Sequence, residues 1–466
     1  MKNCSKSPFA KGAGGLMKEK MRQKTEFQNI NINNFKQKLL NWSQKFEFLA
    51  FFDSNGYYEK NTNQFSYNTF ESIVAIGHIS IIPNEKPHFE TLKNYFNKTQ
   101  DWLFGHLSYD LKNEIENLKS ENSDEVLFSE IQFFQPKYVF IFTENKVVLE
   151  HFDEIDKDEF LNEILKTPAV GVITNSSELL VGDNTNKGID LIKIQQKFQK
   201  SEYIESVLKI QNHIKRGDIY EMNFCQELFV ENLEINPLET YAKLIEISPT
   251  PFSVFYKTEN KYLISASPER FLKRIGTKII SQPIKGTIKR GENAEIDLQL
   301  RTQLECDEKE RSENIMIVDL VRNDLSKTAK QASVKVEELC GIYSFKQVHQ
   351  MISTISSEID QETHFVDVIK SMFPMGSMTG APKIEAMKLI EKFEKTKRGL
   401  YSGAVGYINP QGDFDFNVVI RSILYNFDKK YLSFSVGSAI TAKSIAESEY
   451  DECLLKTEAI KKAILD

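Results

Sequence analysis

The order in which strand-like and helix-like segments follow one another restricts the fold of this chain more than any other feature. Residues 46–52, 72–82 and 136–142 are rich in β-branched and aromatic side chains and read as strands, as do 253–256, 262–266, 404–408, 417–425 and 431–436. Residues 105–110 read as a strand running into a loop. Apolar residues at helical spacing (Tyr203, Val207, Ile210, Ile214) predict a helix over 201–216 that stops at Gly217. Further helices are expected over 294–325, with a break, over 382–392 and over 447–464. Strands and helices do not alternate regularly. That pattern disfavours a doubly wound parallel sheet and predicts an α+β fold built on mostly antiparallel sheets. At 466 residues the chain has room for two or three domains or one large intertwined fold. A polar, turn-rich stretch at 176–188 marks a soft boundary between an N-terminal α+β region, 25–185, and a motif-dense region, 186–466.

Bulk properties exclude several classes. No apolar run approaches the roughly 20 residues needed to span a bilayer, so a membrane protein is not expected. A net charge of -7 gives no basic footprint for nucleic acid. Cys4, Cys225, Cys306, Cys340 and Cys453 lie far apart without a C-x-x-C pair. Such a set suits a reduced compartment, the cytoplasm, and neither a disulfide framework nor a zinc site. Any metal should then be held by oxygen. Residues 1–24 carry seven Lys or Arg against the single Glu19, without the apolar core of a secretory leader. They are expected to be a disordered tail, or the product of a start placed too far upstream of Met17 or Met21.

Four constellations could carry chemistry. Glu310 and Glu313, and again Glu449 and Glu452, sit three residues apart on helix candidates, so each pair shares a face. Each reads equally as a pair of solvated acids favouring a helix dipole. If they converge, two carboxylates about 4 Å apart repel by roughly 4 kcal/mol at an effective dielectric of about 20. Protonation or a hard divalent cation such as magnesium relieves that. Pro283-Ile284-Lys285-Gly286-Thr287 holds a lysine on what reads as a constrained turn, with Lys289 and Arg290 just beyond. Burial and neighbouring cations would lower its pKa and make the amine a nucleophile, whereas a lysine beside a glycine is ordinarily a solvated turn residue. The glycine-flanked segment 376–383 contains Thr379 or Gly380 as a possible cap and Pro382 in the first helical turn, which suits an anion site as well as an ordinary capped helix. Tyr401 and Arg421 complete the set. An arginine ending an apolar run needs either a structural acid or a substrate carboxylate as partner.

Taken together, the blocks GDIYEMNFCQ (217–226), SASPERF (265–271), PIKGT (283–287), DEKERSENIMIVDLVRNDL (307–325), GSMTGAPKIEAM (376–387), RGLYSGAVGYI (398–408) and ESEYDECLLK (447–456) resemble the chorismate-utilising enzymes. These include anthranilate synthase component I, aminodeoxychorismate synthase component I, and the isochorismate and salicylate synthases. The match runs in order from Gly217 to Lys456, and residues before it resemble the family only loosely. It implies a large, mostly antiparallel β-sandwich flanked by helices, with 186–466 as the chorismate-binding catalytic region. It also implies magnesium on Glu313 and Glu452, with Glu310 and Glu449 reaching it directly or through water. Gly286, Thr287, Thr379, Tyr401, Arg421 and the Gly437-Ser438 backbone would hold chorismate, and Glu269 would protonate the departing 4-hydroxyl.

Within the family, Lys285 discriminates. The resemblance implies that in the aminodeoxychorismate branch this lysine attacks ring carbon 2 and ammonia then displaces it at carbon 4. Anthranilate synthases usually carry alanine there, so anthranilate synthase component I is the rival reading. A non-catalytic paralogue is a second rival, opposed by the intact Lys285, Glu269 and four carboxylates. Water-using members carry a base lysine where this chain has Glu221. Other departures are Gln350, where histidine is common, Gly437-Ser438-Ala439 for Gly-Ala-Gly, and the absence of a Leu-Leu-Glu-Ser segment, although 248–252 partly resembles its second half. No Gly-x-Cys-x-Gly glutaminase segment occurs, and Cys340 lacks that frame. The implied partner is a separate glutamine amidotransferase subunit supplying ammonia, and the implied product is 4-amino-4-deoxychorismate for para-aminobenzoate and folate.

Overall fold

A computed structural model describes residues 22–57, 67, 70–143, 145–170 and 192–465. The basic segment 1–21 and the polar stretch 176–188 lie outside the described residues, so neither the tail nor the boundary placed there is seen. Residues 23 and 24, assigned by sequence to the tail, instead begin the strand Gln23–Phe27, which pairs with Lys146–His151.

The strands form two antiparallel runs that share the long strand Ile131–Thr143. One run continues through Ser72–Ile81, Phe48–Asp53, Phe252–Thr258, Lys261–Ser267, Ser422–Asn426 and Tyr431–Ile440 to Glu221–Val230. The other passes through Leu103–Leu107, Ala404–Ile408, Phe414–Val418, Arg270–Ile275 and Lys278–Gln282 to Val348–Glu358. Two crossings between the runs are short, one at Pro268-Glu269 and one at Val419-Ile420-Arg421. The single strand expected over 417–425 is therefore two strands, because Arg421 adopts a left-handed φ of 52° that no continuous strand accommodates.

Alternation along each strand sends successive side chains to opposite faces. Phe48 and Ala50 enter the core between the two runs, together with Phe104, Phe133 and Phe416. Leu49 and Phe51 face a second core. That face is covered by helices Ile32–Trp42, Lys200–Arg216, Pro237–Ile247, Lys383–Phe393, Ala446–Leu455 and Glu458–Leu465, whose apolar stripes supply Leu39, Tyr203, Leu244, Leu389, Cys453 and Ile464. Strands before and after residue 186 pair directly, Phe48–Asp53 with Phe252–Thr258 and Leu103–Leu107 with Ala404–Ile408. The two sequence regions thus share sheets and cores and are not separate units.

Asp307 breaks the helix expected over 294–325 into Ala294–Cys306 and Glu308–Ser326, ending the first and capping the second through the Glu310 N–H. The helix expected over 447–464 is likewise two. Gly217 ends Lys200–Arg216 at φ 84°, as its position suggested. No helix among the described residues is long and apolar enough to cross a membrane.

Candidate active site

One cavity of about 160 Å³ collects almost every residue singled out in the sequence. Glu269, Lys285, Gly286, Thr287, Tyr401, Arg421, Gly437, Ser438, Glu310, Glu313, Glu449 and Glu452 all line it. Thr379 does not. Its hydroxyl donates to the carbonyls of Met375 and Gly376, and its side chain is wholly buried. Nor does it cap the following helix, whose N-cap is Pro382. The neighbours Ser377 and Met378 reach the cavity in its place.

The fold explains the convergence. Glu269 and Arg421 occupy these two short crossings, where the strand pleat is interrupted, and both line the cavity. Lys285 lies on the strand Ile284–Lys289, not on the constrained turn expected. Pairing with Val348–Glu358 slips between Ile284 and Thr287, and such a bulge re-aims the side chains at the slip. Gly286 sits there at φ 92°, and a Cβ on it would come within 3.3 Å of the Glu310 carboxylate. Gly437 allows close approach of another kind, since a Cβ would lie 2.5 Å from Cys225 Sγ.

Two sets of groups in the cavity differ in chemistry. In one, Lys285 Nζ donates to Glu221 Oε1 at 2.8 Å, and Ser377 Oγ donates to Glu269 Oε1 at 2.6 Å. Burial raises the Glu269 carboxyl to about 7, against the opposing influence of Ser377 and Lys285. A carboxyl so placed keeps a proton near neutrality and can give it to a leaving group. Burial pulls the Lys285 ammonium down, but Glu221, Glu313 and Glu269 outweigh it and hold the group above the ordinary lysine value. The expected lowering is therefore corrected. Arg290, counted on as a neighbouring cation, is turned away to pair with Asp297 at 2.7 Å. Lys285 is surrounded by carboxylates instead.

In the other, the two pairs of glutamates line the cavity from helices Glu308–Ser326 and Ala446–Leu455. Lys309, overlooked in the sequence, stands among them, 3.9 Å from Glu310, 3.7 Å from Glu313 and 3.8 Å from Glu449. Glu452 pairs with Lys456 at 2.7 Å, and Lys456 also donates to the Gly437 carbonyl. Burial raises the Glu313 carboxyl to about 7, and its buried Oε1 has no hydrogen-bond partner among the described residues. No three acids or other ligating residues among the described ones stand close enough together to hold an ion as they are. The donor set is nonetheless all oxygen, with a buried carboxylate oxygen unsatisfied, which suits a hard divalent cation.

Arg421 also lines the cavity. Burial lowers its pKa, and among the described residues no hydrogen bond or ion pair engages its guanidinium. The structural acid considered as its partner makes no ion pair with it among those residues, although Glu452 acts on it at longer range. Gln350 and Asn223 also line the walls, with Gln350 Oε1 lacking a partner among the described residues. Spacing gave no clue to Ser377 or Asn223, whereas Lys309 was findable as the residue one helical turn before Glu313.

The family model described as chorismate binding enzyme matches residues 51–462. The chloroplastic aminodeoxychorismate synthase of Arabidopsis thaliana is 35% identical over 71% of this chain, which spans only 38% of that relative's length. Anthranilate synthase component 1 of Acetivibrio thermocellus is 32% identical over 77% of this chain and 74% of its own. The crystal structure of anthranilate synthase component I from Streptococcus pneumoniae superposes with a TM-score of 0.66 at 26% identity, covering 77% of this chain and 80% of that one. The antiparallel sheets flanked by helices are thus the fold expected, and the chain belongs to the chorismate binding enzyme family.

Proposed function

We propose that the chain aminates chorismate to 4-amino-4-deoxychorismate, as aminodeoxychorismate synthase component I. The observation that carries this reading is the placement of Lys285 and Glu269 in one cavity, with Glu269 raised to about 7. Lys285 attacks ring carbon 2 while Glu269 protonates the departing 4-hydroxyl. Ammonia then bonds to carbon 4 and releases the lysine. The unpartnered guanidinium of Arg421 supplies a bidentate site for a substrate carboxylate, and Tyr401, Gly286, Thr287 and the Gly437-Ser438 backbone form the walls around the ring.

Glu310, Glu313, Glu449 and Glu452 would hold magnesium, which when bound neutralises and anchors a substrate carboxylate. Lys309 must then move off the carboxylates it now approaches. A separate glutamine amidotransferase subunit supplies the ammonia on this reading, and the product serves folate synthesis. The four free cysteines among the described residues fit a reducing compartment such as the cytoplasm.

Anthranilate synthase component I is the second reading, favoured by relatives of that name at comparable identity. The assay that separates the two combines the chain with chorismate, magnesium and ammonium ion. Aminodeoxychorismate identified by mass supports the first reading. Fluorescent anthranilate and pyruvate in its place refute it.

A further inference from the structure

Glu221 stands outside every role so far assigned. It opens the strand Glu221–Val230, is 1% exposed, and holds Lys285 Nζ through Oε1 at 2.8 Å. Its second oxygen, Oε2, is buried and has no hydrogen-bond partner among the described residues. A buried carboxylate with one oxygen unsatisfied is costly to keep in a core. The first oxygen of Glu221 balances the buried Lys285 ammonium, and the second is left over.

Lys285 makes no hydrogen bond or ion pair within 4 Å to Glu310, Glu313, Glu449 or Glu452 among the described residues. The charged groups that face it at longer range are Glu313, Glu310 and Glu452 from the two acidic helices and Glu269 from the crossing. Among the described residues Glu221 alone accepts a hydrogen bond from it. It is therefore the one group that can take a proton from the ammonium without an intervening water.

We propose that Glu221 is the proton acceptor of Lys285, so that the attacking amine is released inside the cavity and not by loss of a proton to solvent. The inference rests on the reading of Lys285 as nucleophile. One N–H bond of the ammonium breaks and its proton passes to Glu221 Oε1, leaving a neutral amine beside a neutral carboxylic acid. The lone pair of that amine forms the bond to ring carbon 2. The two ring double bonds each shift by one position, the carbon 4 to oxygen bond breaks, and the hydroxyl leaves as water with the proton of Glu269. When ammonia later bonds to carbon 4, the double bonds shift back and the lysine departs as a neutral amine. It recovers its proton from Glu221, and the ion pair is restored. Glu269, a carboxylate by then, takes a proton from the new ammonium.

The consequence is a signature in pH. The attacking form, amine plus carboxylic acid, has the same number of protons as the resting ion pair, so its population does not change with pH while the pair keeps one proton. If the amine instead had to lose its proton to solvent, its population would rise tenfold per unit. The experiment measures the single-turnover rate of the chorismate adduct on Lys285, followed by mass spectrometry of the quenched full-length chain, between about pH 6 and 7. The wild type should change by less than about threefold. Glu221→Gln, which keeps the shape and one acceptor, should rise by about five- to tenfold. A wild-type rate that climbs as steeply as the variant's overturns the assignment of Glu221, as does a variant with the rate and profile of the wild type. If product forms and neither protein ever shows an adduct, the nucleophile reading itself fails and takes this inference with it.

Discussion

Two lysines in this cavity meet carboxylates in opposite ways. Lys285, on a bulged strand, is buried, has one partner at 2.8 Å and is fixed by the sheet beneath it. Lys309, on the first turn of a helix, has a side chain 39% exposed and approaches three carboxylates without coming closer than 3.7 Å to any. The first has the geometry of a reacting group held in place. The second has that of a counter-ion, tethered by a flexible stem and free to withdraw. Strand and helix thus bring two kinds of lysine to one set of carboxylates, and Glu313 feels both.

Substitutions can break that contrast. Lys285→Ala should lower turnover by at least about a thousandfold and leave no adduct, read by steady-state assay and intact mass. Replacing Glu269 with Gln should lower kcat by about 10²–10⁴-fold and remove the fall in rate as pH rises past about 7, where the wild-type acid loses its proton. The same variant bears on stability. Between about 4.5 and 7 the folded chain keeps a proton on Glu269 that the unfolded chain has lost, so this group makes folding less favourable as pH rises through that window. Glu269→Gln should therefore gain in denaturant midpoint relative to wild type at pH 8 and not at pH 4.

Smaller effects are expected at Glu313 and Lys309. Glu313→Gln should weaken magnesium binding about ten- to a hundredfold by calorimetry, and an unchanged titration would rule Glu313 out as a ligand. Lys309→Met should tighten magnesium by a few-fold, because the metal no longer displaces a resident ammonium. Weaker binding in that variant would mean Lys309 supports the metal site and does not compete with it.

Much of this was legible in the sequence where a motif was contiguous. Gly286 and Thr287 flank Lys285 directly, and Glu269 lies in a short block whose neighbours fix its environment. The break at Arg421 was not legible, because the apolar run 417–425 conceals a single left-handed residue. Thr379 was misplaced by reading a capped turn as an anion site, when its hydroxyl closes the turn on itself. The ion pair between Glu221 and Lys285 joins residues 64 positions apart on strands of different runs, which no local pattern encodes. For the same reason the sequence suggested a lysine made reactive by cations, where tertiary packing surrounds it with acids. Helices such as His88–Thr99 and Phe365–Met372 were overlooked as well.

The central claim is that Lys285 bonds to the substrate ring. It is tested most directly by mixing the chain with chorismate and magnesium without ammonia, quenching within one turnover, and mapping the modified peptide by mass spectrometry. The account predicts an adduct on Lys285, of chorismate less one water, that disappears when ammonium is added. Product formed on adding ammonium, with Lys285 unmodified at every time point before it, would contradict the account.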